Sequence, residues 1–273
     1  MLAFIVPLKS RRVAKSWDYV SRLFERSLRS MCNQTSPDFK VVVVCHERPK
    51  IQFHHPGVSY IEVDFPVPKK IMEMRSDRWR KIQTGIAAAG VFAPTHVMAV
   101  DGDDCVSNRL AELVQQNPAH VGWYFDAGYL YRDGGPRIHL KRRDFHRWCG
   151  TCNILRYDWI GLPEAPDGQP PVDVEASFMK ERMARRGAPL ERLPFPGAVY
   201  VGTKKGEGTY ARIDWLTHLR QYPKGALRPA KRIFLDWFKS EPITPALAAE
   251  FALYDLRDAA QVGEQIKGRE SFS

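Results

Sequence analysis

Three carboxylates crowd around one glycine at Asp101-Gly102-Asp103-Asp104, directly after the apolar run Val97-Met98-Ala99-Val100. A short apolar run of this kind reads as a buried strand, which puts the acids at its C-terminal end, on the edge of a sheet. Clustered carboxylates are costly there unless a cation or a hydrogen-bonding ligand shares the place. Hard divalent ions take oxygen ligands, often one or two carboxylates together with phosphate oxygens. The spacing therefore suits a metal-bridged phosphate site. A solvated acidic turn that caps the following helix is the plainer alternative.

Holding such a turn takes a sheet, and the first 117 residues have the elements for one. Leu2 to Val6 reads as a buried strand ended by Pro7. Ser16 is placed to cap a helix reaching Met31, with Trp17, Val20, Leu23, Phe24, Leu28 and Met31 at helical spacing. Phe39 to Cys45 is a β-branched run of the kind covered on both faces, and Val58 to Val63 reads as a third strand. Ser76 to Ala89 reads as a second helix with Trp79, Ile82 and Ile86 as its buried stripe and Gly90 as its end. The acid strand, His96 to Val100, follows, and then a short helix from Asn108 to Gln116. Such alternation predicts an α/β fold, a mostly parallel central sheet with helices on both faces. Ligands of such sheets bind outside the carboxyl ends of the strands.

The second half is less regular. Gly122 to Arg132 reads as one aromatic-rich strand, and Arg137 to Arg147 is dense in Arg, Lys and His. Pro163 to Pro171 reads as a flap-like loop, Val174 to Arg186 as a helix ended by Gly187, and Leu193 to Val201 as extended chain. Helices are expected from Ala226 onward.

With 273 residues, the chain is long enough for a sizeable core. Its 44% hydrophobic and 26% charged residues are ordinary for a soluble globular protein, and no run is apolar enough to span a membrane. The opening residues read as a strand rather than a signal peptide. Five cysteines, an odd number, suit reduced thiols in the cytoplasm. The net charge of +10 favours anionic partners: nucleotide phosphates, nucleic acid or an acidic membrane surface. Cys149-Gly150-Thr151-Cys152 invites a zinc reading, but no second such pair completes a four-ligand site.

Taken together, these residues resemble nucleotide-sugar-dependent glycosyltransferases of the GT-A fold. The likeness rests on Ile5-Val6-Pro7-Leu8-Lys9, on Val41 to Glu47, on the helix carrying Asp77, Arg78 and Lys81, and on Asp101-Gly102-Asp103-Asp104, which matches that fold's Asp-X-Asp motif. It implies a Rossmann-like GT-A domain over 1–225, with a nucleotide-binding half (1–117) and an acceptor-side half (118–225), followed by a C-terminal helical extension (226–273). It also implies a transferase that moves a sugar from a nucleotide diphosphate sugar, UDP-sugar above all, to a glycan or lipid-linked acceptor with Mn²⁺ or Mg²⁺ as cofactor. By the same resemblance Asp101, Asp103, Asp104 and His218 serve the metal. Pro7, Lys9, Glu47, Arg78, Lys81, Asp101, Gly102, Lys204 and Lys205 serve the donor. Gly150, Thr151 and Asn153 meet the acceptor, and Asp173 and Glu175 lie where inverting relatives carry a general base.

Each assignment has a plainer counterpart. Arg78 and Lys81 also suit a solvated helix face, Asp173 and Glu175 also suit a helix dipole, and His218, near Trp215 and Leu216, also suits simple packing. The segment from Arg228 to Lys239 suits either a helix packed on its own domain or one lying on a membrane, which would place the protein at the inner face. Two other functions compete: a sugar nucleotidyltransferase, disfavoured because Lys9-Ser10-Arg11-Arg12 lacks a glycine-rich phosphate loop, and a basic nucleic-acid-binding protein, for which no zinc-finger spacing or RNP-type aromatic string is present.

Overall fold

The computed structural model describes residues 1–160, 176–202 and 239–256. Its centre is a seven-stranded sheet. Strands β1 (Leu2–Pro7), β2 (Phe39–Cys45), β3 (Val58–Glu62) and β4 (His96–Ala99) run parallel in the order β3-β2-β1-β4. Beyond β4 lie β9 (Asn153–Arg156), which runs opposite to it, then β6 (Gly122–Tyr124) and β10 (Glu191–Arg192). The expected α/β architecture with a mostly parallel sheet is what the chain adopts. A second, five-stranded sheet has the order β12-β8-β7-β11-β5, formed by Glu241–Pro242, Arg137–Lys141, Gly128–Arg132, Ala198–Gly202 and Cys105–Val106.

Period-two alternation divides β1 between two cores. Leu2, Phe4 and Val6 point to one face, with Phe24 and Leu28 of helix α1 (Trp17–Cys32). Ala3 and Ile5 point to the other, with Ile82 and Ile86 of helix α2 (Ile71–Ala89). Ser16 caps α1 as expected, its hydroxyl accepting from the Tyr19 N–H at 3.3 Å. α1 also lies against the second sheet: Tyr19 and Leu23 join Tyr131, Ile138, Val199 and Phe251 in a further core. Burial on two sides explains how Arg26, on this helix, becomes completely inaccessible.

Two expectations need correction. α2 begins five residues before Ser76, because the Glu73 carboxylate accepts from the N–H groups of Lys69 (2.6 Å) and Lys70 (3.2 Å) and so caps the first turn. Met72 and Met74 of that turn are exposed, Met72 at 68%, so they add no buried stripe for periodicity to find. The run from Gly122 to Arg132 is two strands in different sheets, β6 and β7, parted where the Phe125 N–H turns back to the Cys152 carbonyl. Gly128 opens β7 against the Phe145 ring, where a Cβ would come within 2.5 Å. The expected short helix after the acid strand is α3 (Leu110–Gln116), and the described part of the expected helix 174–186 is a 3₁₀ turn followed by α4 (Met179–Arg185), which Gly187 ends at φ +74°. The loop from Pro163 to Pro171 and the Arg228–Lys239 segment fall outside the described residues, apart from Lys239. Residues 241–256 supply β12 and a short helix, and Phe251, Leu253 and Leu256 pack into the core of the second sheet. No described helix is long and apolar enough to cross a membrane.

The start of β4 gives a pH prediction. His96 is fully buried, its Nε2 lies 2.8 Å from the His120 carbonyl, and burial lowers its pKa from 6.5 to about 4. The unfolded chain therefore binds a proton between pH 6.5 and about 4 that the native state refuses. Stability then falls as pH drops through that window, by up to about 3 kcal/mol. Urea unfolding at pH 7 and pH 4.5 should show a loss that His96→Gln reduces. An unchanged pH slope in the variant would refute the assignment.

Candidate active site

The strand order reverses between β1 and β4: β2 and β3 extend one side of β1, and the chain then crosses to the other. At such a switch the loops leaving the carboxyl ends diverge and open a crevice. The loop after β1, with Leu8 and Lys9, and the acid turn after β4 meet there. Gly102 lets the turn close down on the sheet, since a Cβ would lie 3.2 Å from the Leu8 side chain.

The three acids have different surroundings. Asp101 is buried; its Oδ1 accepts from Arg78 Nε at 2.8 Å, and its N–H donates to the Thr151 hydroxyl at 2.9 Å. Asp104 is buried with both oxygens engaged. Oδ2 accepts from Thr151 Oγ1 (2.7 Å) and Cys149 Sγ (3.2 Å), and Oδ1 accepts from the Val201 N–H (3.1 Å). Burial and then the neighbouring Asp101 charge push its carboxyl up to about 7, against those three hydrogen bonds. Asp104 thus joins the acid turn to the turn before β9 and to β11, in both sheets. Asp103 is half-buried, and no other described residue donates a hydrogen bond to it. Crowding by protein atoms pushes its carboxyl well up, helped by the charges of Asp104 and Asp101, while the Lys9 ammonium opposes the shift.

This donor set fits a divalent cation. A cation beside Asp103 would relieve the mutual repulsion of the acids, and Mg²⁺ or Mn²⁺ needs one or two protein carboxylates when phosphate oxygens complete the shell. Among the described residues no three His, Cys, Asp or Glu side chains are already gathered as a metal cage.

The other predicted positions divide by what they touch. Arg78 and Lys9 stand at the acids. Gly150 lies against the Asp101–Arg78 pair, where a Cβ would come within 2.6 Å of Asp101 Oδ2 and 2.9 Å of Arg78 Nη2, so this close approach requires a glycine. Lys81 points inward: its ammonium donates to the Leu8 carbonyl and to Asp77 Oδ2, both at 2.8 Å, and burial lowers its pKa despite Asp77. It props the loop after β1 from beneath. Pro7 is buried as the last residue of β1. Glu47 holds the same loop from the side, accepting from Ser10 Oγ and the Arg11 N–H at 3.0 Å each. Thr151 is buried between Asp101 and Asp104. Asn153 is buried as well, its amide donating to the Ala176 carbonyl at 2.8 Å. Asp173, Glu175, Lys204, Lys205 and His218 lie outside the described residues.

Sequence reasoning missed Cys149 and Val201 as donors to Asp104. It also missed Tyr200 on β11, whose hydroxyl pKa is raised by burial and by the charges of these acids. The extended character of 193–201 was legible, but nothing in it marked Tyr200. None of the five cysteines is in a disulfide, and four of them, Cys45, Cys105, Cys149 and Cys152, are buried.

An open α/β sheet with an acid turn at its switch point describes a class of ligand-binding site rather than a particular protein. No protein-family model and no curated protein matches the chain. Solved structures similar to it include a fragment of S. aureus TarS in complex with UDP, at 12% identity and TM-score 0.42, over 73% of this chain and 60% of that one. A longer S. aureus TarS structure is similar at 14% identity and TM-score 0.43, over 73% and 36%. The bifunctional IspDF from Campylobacter jejuni is similar at 12% and 0.39, over 76% and 50%. The chain thus spans about 60% or less of the length of these structures. Likenesses this distant decide nothing about activity, which has to be argued from the site.

Proposed function

We propose that the protein is a metal-assisted glycosyltransferase of the GT-A kind, taking a nucleotide diphosphate sugar, UDP-sugar first, as donor and a glycan as acceptor. One observation carries the reading. At the switch point of the sheet, Asp103 is a partly exposed carboxylate with no other described residue bonded to it, and the acids on either side are held in place by the protein. Asp103, with Asp101 beside it, would hold Mn²⁺ or Mg²⁺. The ion, when bound, supplies Lewis-acid stabilisation to the departing diphosphate.

The chain's own residues do the rest. Arg78 fixes the Asp101 carboxylate, so that the acid does not have to reorganise when a donor arrives. Lys9 adds positive charge that acts on Asp103 and would favour a diphosphate there. Lys81 and Glu47 hold the loop carrying Lys9. Asp173 and Glu175 remain the proposed source of a base for the acceptor hydroxyl.

The test is thermal. UDP together with Mn²⁺ should raise the melting temperature, and more than either alone, because stabilisation follows occupancy of a site that needs both. No shift with UDP or any other nucleoside diphosphate, with or without metal, would end this reading.

A further inference from the structure

One face of the chain is strongly positive. Arg142 and Arg143 are exposed just after β8, and Arg147 follows them. Lys180 and Arg185 come from α4, and Arg192 from β10. Contacts tie the elements that carry them together. Arg192 Nη2 reaches the Arg142 carbonyl at 3.5 Å, Arg147 lies 3.8 Å from Glu181 of α4, and Lys180 Nζ sits 4.4 Å from the Tyr124 ring centroid.

The acids of this face are already engaged. Asp126 pairs with Arg192 at 3.3 Å, and Asp144 and Glu181 are shared by Arg147. Arg142, Arg143 and Arg185 have no ion-pair partner among the described residues. The net charge of the chain, +10, is thus partly concentrated here. Along the chain the face leads into the candidate site: Arg147 is two residues before Cys149, whose thiol donates to Asp104.

The aromatic rings of the region narrow the class of ligand. Tyr124 is covered by Lys180 and by His146 edge-on, Trp148 by Lys141, and Trp159 by Arg186. Single-stranded nucleic acid is held by successive open ring faces on which bases stack. Here cations occupy those faces, and Phe178 alone among these rings is largely exposed, at 53%. A chain recognised by its charges and hydroxyls suits this surface better than a chain of bases.

We propose that this face binds an acidic polysaccharide and leads it to the acid turn, so that the acceptor is an anionic glycan. The proposal rests on the glycosyltransferase reading. A positive lane beside a carboxylate cluster would also offset the repulsion an anionic acceptor meets there, and would steer its approach in a salt-dependent way.

The experiment titrates the full chain into fluorescein-labelled polygalacturonate, neutral dextran and single-stranded DNA, and follows anisotropy at low and high salt. Polygalacturonate should bind and weaken with salt, and dextran should not bind. The Arg142→Glu, Arg143→Glu double variant should bind polygalacturonate at least tenfold more weakly, with native circular dichroism. Arg185→Glu, on a different element, repeats the test if the double variant does not fold. Unchanged affinity in the folded variants, or equal affinity for dextran, overturns the proposal. DNA binding tighter than polygalacturonate, with the same residue dependence, also overturns it and assigns the face to nucleic acid. Thermal stabilisation of the wild-type chain by UDP and Mn²⁺ reports on the donor site separately, so failure of one reading is distinguishable from failure of the other.

Discussion

Asp103→Ala should lose about three orders of magnitude in metal-dependent hydrolysis of UDP-sugar, roughly 4 kcal/mol of transition-state stabilisation. The expectation comes from the difference among the three acids. Asp101 has Arg78 on one oxygen, and Asp104 has three donors on two oxygens. Asp103 has no such donor among the described residues, which is why the proposed function gives it the cation. Its removal should not weaken the fold, because a crowded carboxylate beside two others is itself a strain on the native state. The metal-free melting temperature of the variant should match or exceed that of the wild type. Asp104→Ala should do the opposite and lower stability, because it strands the Val201 N–H and the Thr151 hydroxyl in the interior. Turnover and melting curves for both variants separate the roles. An Asp103→Ala protein that keeps more than a tenth of its activity would remove Asp103 from the metal site.

The largest stability effect is expected at Asp133. Arg26 is fully buried, pairs with Asp133 Oδ1 at 2.9 Å and donates to the Tyr254 carbonyl at 3.0 Å. The Tyr19 hydroxyl donates to Asp133 Oδ2 at 2.6 Å. This network ties α1 to the turn between β7 and β8 and to the end of the described chain. Arg26 Nε and Nη2 already lack hydrogen-bond partners. Asp133→Ala would therefore leave an uncompensated cation in the core, at a cost of about 3–5 kcal/mol. For a chain of this size the melting temperature should fall by about 10 °C. Replacing both partners, Arg26→Met with Asp133→Leu, should recover most of the loss, because no charge is then left stranded. Denaturant unfolding of the three proteins measures this. A single variant costing under about 1 kcal/mol would mean that water reaches the pair.

How much of this was legible in the sequence depended on the range of the interaction. β1, β2, β4 and the Ser16 cap of α1 were readable because period-two and period-3.6 patterns and caps are local. The start of α2 was not, because Glu73 caps its first turn through the N–H groups of Lys69 and Lys70, and Met72 and Met74 there are exposed. The reading of Gly122 to Arg132 as one strand failed because residue types suited to a strand do not say to which sheet each half belongs.

The same division runs through the site. Arg78 and Lys81 are three residues apart and share a helix face, so both read alike as donor-binding residues. The fold separates them: Arg78 reaches Asp101 in the crevice, while Lys81 is drawn under the loop after β1 by Asp77 and the Leu8 carbonyl. Asp103 and Asp104 are neighbours in the chain, yet the fold leaves one half-buried with no described donor and sets the other among donors 45 to 97 residues away. By itself the sequence determined that acids would cluster at the carboxyl end of a buried strand in an α/β protein, because strand periodicity and the abrupt change to charge are local facts. Only the tertiary structure decided which acid stays open to a ligand. That choice belongs to distant hydrogen-bond donors, which become neighbours when the two sheets come together around α1.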